Sequence, residues 1–129
     1  QMSDAKPLAG TVGWFDLTID NADEIREFYE QVVGWTSTPL SMGTYNDFVM
    51  SAPSTGDPVS GICNARGNNK GLPPAWLMYV NVDDILSSTE QCKKLGGELI
   101  APIRKMEGHG KFCVIRDPAG AVMALFEPI

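Results

Sequence analysis

The stretch GWFDLTIDN (Gly13 to Asn21) places a carboxylate in the middle of an alternating run. Side chains of a strand alternate between two faces, so Trp14, Asp16 and Thr18 share one face and three apolar residues share the other. A carboxylate in such a place can act as a general base or accept a hydrogen bond from a ligand. It can also be purely structural, with backbone N–H groups or the Thr18 hydroxyl as its donors. The residues alone leave both interpretations open.

Other groups that could do chemistry are few. The single histidine, His109, lies in the glycine-flanked turn MEGHGKF, and a lone histidine in a turn is most often simply solvated. The three cysteines, Cys63, Cys92 and Cys113, are odd in number and lack CxxC spacing, so they favour a reduced cytoplasm and give no support for a zinc site. We expect Cys63 and Cys113 to be small core residues.

Length and charge restrict the class of protein. The 129 residues suffice for one ordinary hydrophobic core. A composition of 43% hydrophobic and 20% charged residues is typical of a globular chain. A net charge of −6 argues against binding to nucleic acid or to anionic membranes. No apolar run approaches the roughly 20 residues of a membrane helix, and QMSDAKPLAG has no signal-peptide core. We therefore expect a cytoplasmic protein.

Two stretches of the chain match each other at a constant offset. When WFDLTIDN is set above LMYVNVDD, Leu17 falls on Val80, an offset of 63 residues. At that offset Gly34, which ends the first predicted helix, falls on Gly97, in the glycine pair that ends the second. Matching elements at one offset indicate a duplicated unit.

Each copy is predicted to contain a strand, a helix and three further strands. The first helix has Asn21 as N-cap with Glu24 three residues later, and its apolar residues recur with helical spacing. The second helix runs from Ile85 to Leu95 with Asp84 as N-cap. Further strands are expected near residues 35–40, 45–52, 58–64, 98–103, 111–116 and 121–126. The order is βαβββ–βαβββ, an α+β fold.

The predicted organisation is one domain made of two modules. Residues 1–10 form an N-terminal tail and residues 11–128 the domain. Module one covers about residues 11–65 and module two about 75–128. The exposed linker between them, about residues 66–74, lies in the sequence ARGNNKGLPP.

This order of elements, with FYEQVVGW (Phe28 to Trp35) and RDPAGAVMALFEP (Arg116 to Pro128), resembles the vicinal oxygen chelate superfamily. That superfamily includes glyoxalase I, bleomycin-resistance proteins and extradiol dioxygenases. The likeness covers about residues 11–128 and is greatest to the metal-less glyoxalase-like (antigen-like) branch. It implies a mixed sheet forming a cup, with helices outside and ligands inside. Trp14, Asp16 and Thr18 would then face the cup, opposite Leu77, Tyr79 and Asn81.

The resemblance also allows a test for the family's metal. In metal-using members, one side chain from the first and last strand of each module holds a divalent ion, and these side chains are His, Gln or Glu. The matching places here hold Trp14, Gly61, Leu77 and Ala124, which supply no such ligand. We therefore expect no metal and no cofactor, and neither glyoxalase I nor dioxygenase chemistry.

A cup without a metal leaves two uses for its lining. Aromatic walls from Trp14, Tyr79 and Phe126 suit a flat or apolar ligand, but the same rings could instead fill the cup. Tyr45 and the loop KMEGHGKF would cover the mouth. The expected ligand-binding residues are Trp14, Asp16, Thr18, Tyr45, Leu77, Tyr79, Asn81 and Phe126.

Three functions follow as hypotheses. The first is a protein that binds a small apolar or aromatic metabolite, as bleomycin-resistance proteins bind their drug. The second is a metal-independent isomerase, lyase or hydrolase with Asp16 as general base, assisted by Tyr79 or by His109 if its loop folds inward. The third is a non-catalytic interaction protein. A homodimer is expected, although the sequence does not show which surface pairs.

Overall fold

The computed structural model describes residues 6–129, apart from the Asn68 side chain; residues 1–5 of the predicted tail lie outside the described part. Contacts divide the chain into two compact units. The first unit is Trp14–Trp76, and the second unit is residues 6–13 together with Leu77–Ile129. The extent of the single domain over residues 11–128 stays a prediction.

The predicted order of elements is confirmed. The first module contains β1 (Val12–Ile19), α1 (Ala22–Val32), β2 (Thr36–Ser41), β3 (Asn46–Ser51) and β4 (Pro58–Asn64). The second contains β5 (Trp76–Asn81), α2 (Ile85–Lys94), β6 (Glu98–Met106), β7 (Gly110–Arg116) and β8 (Val122–Pro128). Between them the linker contains one 3₁₀ turn, Gly67–Asn69. Within residues 6–129, neither helix is long and apolar enough to cross a bilayer.

Strand pairing is mixed in both modules, which confirms the α+β class. In the first, β1 pairs parallel with β4, and β3 pairs antiparallel with both β4 and β2. In the second, β5 pairs parallel with β8, and β7 pairs antiparallel with both β8 and β6. Asp16 is opposite Gly61 in one parallel pair and Tyr79 is opposite Ala124 in the other, so the register repeats at the offset of 63 read from the sequence.

Each helix covers one face of its own strands. In the first unit, Ala22 at the start of α1 packs with Phe48, Met50 and Ile62, and the partly buried Ile19 joins them. In the second unit, a core of Ile85, Cys113 and Leu125 lies under α2. Fully burying a side chain of this size contributes about 1.5–3 kcal/mol, so these cores hold each helix on its strands. Cys113 is thus a core residue, as predicted, and it lies on the α2 face.

The two helices begin differently. Asp84 caps α2, because its carboxylate accepts a hydrogen bond from the Ser87 backbone N–H at 3.2 Å. Asn21 precedes α1 but makes no side-chain cap; its Nδ2 donates instead to Glu24 Oε1 at 2.9 Å. The predicted N-cap positions are therefore confirmed for both helices, but the side-chain cap bond forms only in the second.

Candidate functional site

The strand face of the first unit that α1 leaves uncovered carries a joined indole and carboxylate. Trp14 Nε1 donates a hydrogen bond to Asp16 Oδ1 at 2.7 Å, and both side chains are half-buried. They lie two residues apart on β1, so strand alternation puts them on one face. The next residue on that face, Thr18, is 4% exposed. Alternation along β1 thus puts these three side chains on one face, and the indole is a donor to Asp16.

Gly61 on β4 makes room for this carboxylate. It is opposite Asp16 in the parallel ladder, and a Cβ added at Gly61 would overlap Asp16 Oδ1 and lie 3.5 Å from Trp14 Nε1. Any other residue at this position would force the carboxylate away from the indole. From the sequence, Gly61 was singled out only because glycine supplies no metal ligand. Its position opposite Asp16 follows from the strand register.

A half-buried thiol and a second carboxylate lie beside this pair. Cys63 is opposite Thr18 in the same ladder. Burial raises the pKa of the Cys63 thiol well above its usual range, and the charges of Asp16 and Asp47 raise it further. Asp47 Oδ1 accepts hydrogen bonds at 2.9 Å from both the backbone N–H and the side-chain amide of Asn64. Cys63 is thus held as a neutral thiol, which makes it a poor nucleophile.

Tyr45 lies at the turn between β2 and β3, half-buried. The guanidinium of Arg66 lies over the Tyr45 ring, 4.4 Å from the ring centroid. The backbone carbonyl of Tyr45 accepts a hydrogen bond from Met42 N at 2.8 Å. A cation stacked on the ring orients Tyr45. Arg66, which the sequence did not single out, is therefore part of this region.

In the second unit, Asn81 has a structural role. Its Nδ2 donates to Thr11 Oγ1 at 3.0 Å. Its backbone N–H donates to Thr11 O at 2.9 Å, and its carbonyl accepts from Gly10 N at 2.7 Å. Asn81 is 4% exposed, and these bonds hold the segment before β1 against the end of β5.

The other predicted lining residues of the second unit lie on the face opposite α2. Tyr79 is half-buried, with its ring centroid 6.2 Å from that of Phe112. Phe126 is opposite Phe112 in the β7–β8 ladder, and Leu77 is 2% exposed. The guanidinium of Arg104 lies 4.6 Å from the Phe112 centroid. This face is rich in aromatic side chains, as predicted, but Phe112 and Arg104 were missed.

His109 is exposed in the turn between β6 and β7. Its backbone N–H donates to Met106 O at 2.9 Å and its carbonyl accepts from Ile129 N at 3.0 Å. These bonds fix the backbone of the turn, and the imidazole remains at the surface. The acid–base couple of Asp16 and His109 was conditional on an inward fold of this loop, and it stays a prediction.

The residues at the family's metal positions do not fit a metal ion. The Trp14 nitrogen carries its hydrogen and donates it to Asp16, the space beside Gly61 is taken by that carboxylate, and Leu77 and Ala124 are buried apolar residues. Across residues 6–129, no three or more His, Cys, Asp or Glu residues form a group that could hold a metal. These positions therefore support no catalytic step through a metal.

Comparison with known proteins places these observations in a family context. The family model described as Glyoxalase/Bleomycin resistance protein/Dioxygenase superfamily matches residues 11–125. Among solved structures, methylmalonyl-CoA epimerase from Mycobacterium tuberculosis has a TM-score of 0.61 at 14% identity, covering 97% of this chain and 92% of that chain. A superfamily member from Vibrio splendidus 12B01 has a TM-score of 0.60 at 12% identity, covering 91% and 99%. At such identities the likeness concerns the fold alone.

Curated relatives are closer in sequence and longer. "Putative glyoxylase CFP32" of Mycobacterium tuberculosis (strain CDC 1551 / Oshkosh) is 32% identical over 120 residues, covering 92% of this chain and 44% of that protein. "Anthracycline biosynthesis protein DnrV" of Streptomyces peucetius is 30% identical over 132 residues, covering 91% and 46%. The chain thus spans about half the length of the curated relatives it matches.

Proposed function

Because the chain belongs to the glyoxalase/bleomycin resistance protein/dioxygenase superfamily, we propose that it binds a small, flat, largely apolar metabolite without the family's metal. The site is the uncovered face of the first unit around Trp14, Asp16, Thr18 and Gly61. The observation that carries the proposal is the Trp14–Asp16 hydrogen bond over Gly61. It fixes an aromatic surface and a hydrogen-bond acceptor next to each other.

This arrangement matches the needs of a ligand that has one polar group on an apolar body. Binding sites for small molecules are mostly apolar, with a few fixed polar groups that orient the ligand. The indole offers a flat surface, and an ionised carboxylate can accept several hydrogen bonds. A hydroxyl or amine donor of the ligand would be oriented by Asp16 while its ring stacks on Trp14.

Two side chains near Asp16 are poorly suited to assist it as a general base. A general base needs a partner acid or a stabiliser for the charge that develops. The neighbouring Cys63 is held neutral, and the side chain of Asp47 is engaged by Asn64. A metal-independent enzyme with Asp16 as base remains the second candidate function, favoured by the half-buried position of that carboxylate.

The names of relatives agree with a planar ligand. Two curated relatives are named as anthracycline biosynthesis proteins, and anthracyclines are polycyclic aromatic compounds. These relatives are 30% and 28% identical to this chain, and a ligand of a similar type is part of this proposal. We therefore suggest planar polyketide-like aromatics as the first compounds to screen.

The proposal is tested by titrating such compounds and following tryptophan fluorescence. Trp14, Trp35 and Trp76 are the three tryptophans of the chain, so binding at the proposed site should change the emission of the wild type and of Trp35→Phe, but not of Trp14→Phe. Affinity should fall about tenfold or more in Asp16→Asn, as expected when a charged hydrogen-bond partner is lost. Asp20→Asn, an exposed carboxylate just after β1, is the matched control and should bind normally.

Two results would contradict binding at this face. One is a ligand whose fluorescence change persists in Trp14→Phe. The other is unchanged affinity in Asp16→Asn. Turnover of a bound compound that disappears in Asp16→Asn while affinity is retained would instead support the enzymatic candidate.

A further inference from the structure

The side of the first unit that faces α1 contains an apolar cleft with one hydroxyl group at its floor. The cleft has a volume of about 240 Å³, and we call it the helix-side cleft. All of its lining residues belong to the unit Trp14–Trp76, and all but one of them are aromatic or aliphatic. They are Phe15, Tyr29, Trp35, Val59, Ser60 and Trp76.

Strand alternation separates this cleft from the face that carries Asp16. Ser60 is two residues before Ile62, which packs in the core under α1, so both side chains lie on the helix side of β4. Gly61, between them, faces the opposite way, toward the Asp16 carboxylate. The helix-side cleft is therefore distinct from the site of the proposed function.

Three packed rings give the cleft a fixed aromatic wall. The Tyr29 ring centroid lies 6.0 Å from that of Trp35 and 5.3 Å from that of Trp76, and the two indole centroids are 5.8 Å apart. Trp76 Nε1 donates to the Tyr29 hydroxyl at 3.1 Å, so the indole N–H of Trp76 already has a partner. Rings in mutual contact at these distances hold one another in place, which gives an aromatic ligand a preformed surface.

The Ser60 hydroxyl is buried and has no hydrogen-bond partner within residues 6–129. Ser60 is 2% exposed, and a buried polar group without a partner is both costly and rare in proteins. Phe15 and Val59, which lie beside it, are 42% and 36% exposed, so they can turn aside to let a ligand reach the hydroxyl. A neighbouring cleft of about 260 Å³ has no such group among its described lining residues.

We propose that the helix-side cleft binds a neutral phenol, a single aromatic ring that carries one hydroxyl group. A cavity of roughly 150 Å³ already accommodates benzene, so about 240 Å³ is room for one ring and its substituents. A serine hydroxyl both donates and accepts, and the phenol hydroxyl supplies the partner that Ser60 needs while the ring packs on the aromatic wall.

Charge restricts the ligand to the neutral form. The lining residues of the helix-side cleft include no cation, so an ionised carboxylate or phenolate would lose its hydration there without gaining an ionic partner. The net charge of −6 also disfavours an anion. A neutral hydroxyl loses less hydration and regains a hydrogen bond from Ser60.

Fluorine NMR titration tests the proposal with three probes that differ in one substituent. The wild type should bind 4-fluorophenol about threefold to tenfold more tightly than fluorobenzene, as expected for one net hydrogen bond, and should bind 4-fluorobenzoate more weakly than either. In Ser60→Ala the preference for 4-fluorophenol over fluorobenzene should disappear. The matched control is Ser88→Ala, at a half-buried serine of α2 in the second unit, which should keep the preference. Asp16→Asn should keep it as well, because that carboxylate lies on the other face.

Urea unfolding of Ser60→Ala checks the premise separately. Removal of a buried hydroxyl without a partner should leave the unfolding midpoint unchanged or raise it, and a lower midpoint would overturn the proposal because it would show that the hydroxyl stabilises the fold.

The binding results can also contradict the proposal in three ways. These are no measurable binding of 4-fluorophenol to the wild type, equal affinities of the wild type for 4-fluorophenol and fluorobenzene, and a preference that survives in Ser60→Ala. A preference that Asp16→Asn removes and Ser60→Ala keeps would place the phenol at the site of the proposed function and overturn the helix-side cleft alone. Conversely, a preference that only Ser60→Ala removes supports the cleft even if no planar polycyclic compound binds near Trp14.

Discussion

Replacing Gly61 with alanine adds a methyl group where the structure has Asp16 Oδ1. The carboxylate must turn away, and its 2.7 Å hydrogen bond from Trp14 is lost. A hydrogen bond to a charged group contributes about 1.5–3 kcal/mol. Alanine within a strand is favoured over glycine by about 0.5–1 kcal/mol, which offsets part of that loss. We therefore expect Gly61→Ala to lower the free energy of unfolding by about 1–2 kcal/mol.

The double mutant reverses the sign of this effect. In an Asp16→Ala background the methyl group meets no carboxylate, so Gly61→Ala should stabilise the protein by about 0.5–1 kcal/mol through the backbone alone. The measurement is urea unfolding of the four proteins of the cycle, with the midpoint and the m-value of each. If Gly61→Ala destabilises equally in both backgrounds, the glycine is needed for some other reason than to make room for the Asp16 carboxylate.

The remaining predictions concern the helix caps and the thiols. Asp84→Ala removes the cap hydrogen bond from the Ser87 backbone N–H and should lower the free energy of unfolding in urea by about 1 kcal/mol. Asn21→Ala removes no such cap and should lower it clearly less. Equal losses would contradict the difference between the two helix starts. Burial raises the pKa of Cys113 to about 11 and that of Cys63 further, so timed iodoacetamide labelling of the native protein near neutral pH, read by peptide mass spectrometry, should modify the half-buried Cys92 first. Cys63 and Cys92 are both half-buried, so labelling of Cys63 at the rate of Cys92 would show that the pKa of its thiol is not raised as described.

The order of elements could be predicted because it depends on local signals. Hydrophobic spacing, Asp84 before the second helix and glycines after both helices each act within a few residues of their position. At Asn21 the position of the N-cap was predicted but its hydrogen bond was not: the side-chain amide donates to Glu24 and makes no cap to the backbone. A capping pattern predicts which residues can meet, but not which of two available hydrogen bonds forms.

The site was only half predictable, because alternation assigns a residue to a face but does not identify its neighbour on the next strand. Asp16 and Trp14 were placed on the correct face, yet the donor to Asp16 and the need for Gly61 depend on the β1–β4 register. Asn81 shows the same limit. Its partner Thr11 is 70 residues away in sequence, and no local pattern links the two.

The repeated register lets the two modules be compared position by position. At the offset of 63, Asp16 and Gly61 correspond to Tyr79 and Ala124, and both pairs are opposite each other in a parallel ladder. Each module therefore places a small residue on its last strand opposite a larger side chain on its first. Ala124 is fully buried and carries a methyl group, whereas a Cβ added at Gly61 would overlap the Asp16 carboxylate. A polar ligand group is consequently expected at the first module, where the glycine is.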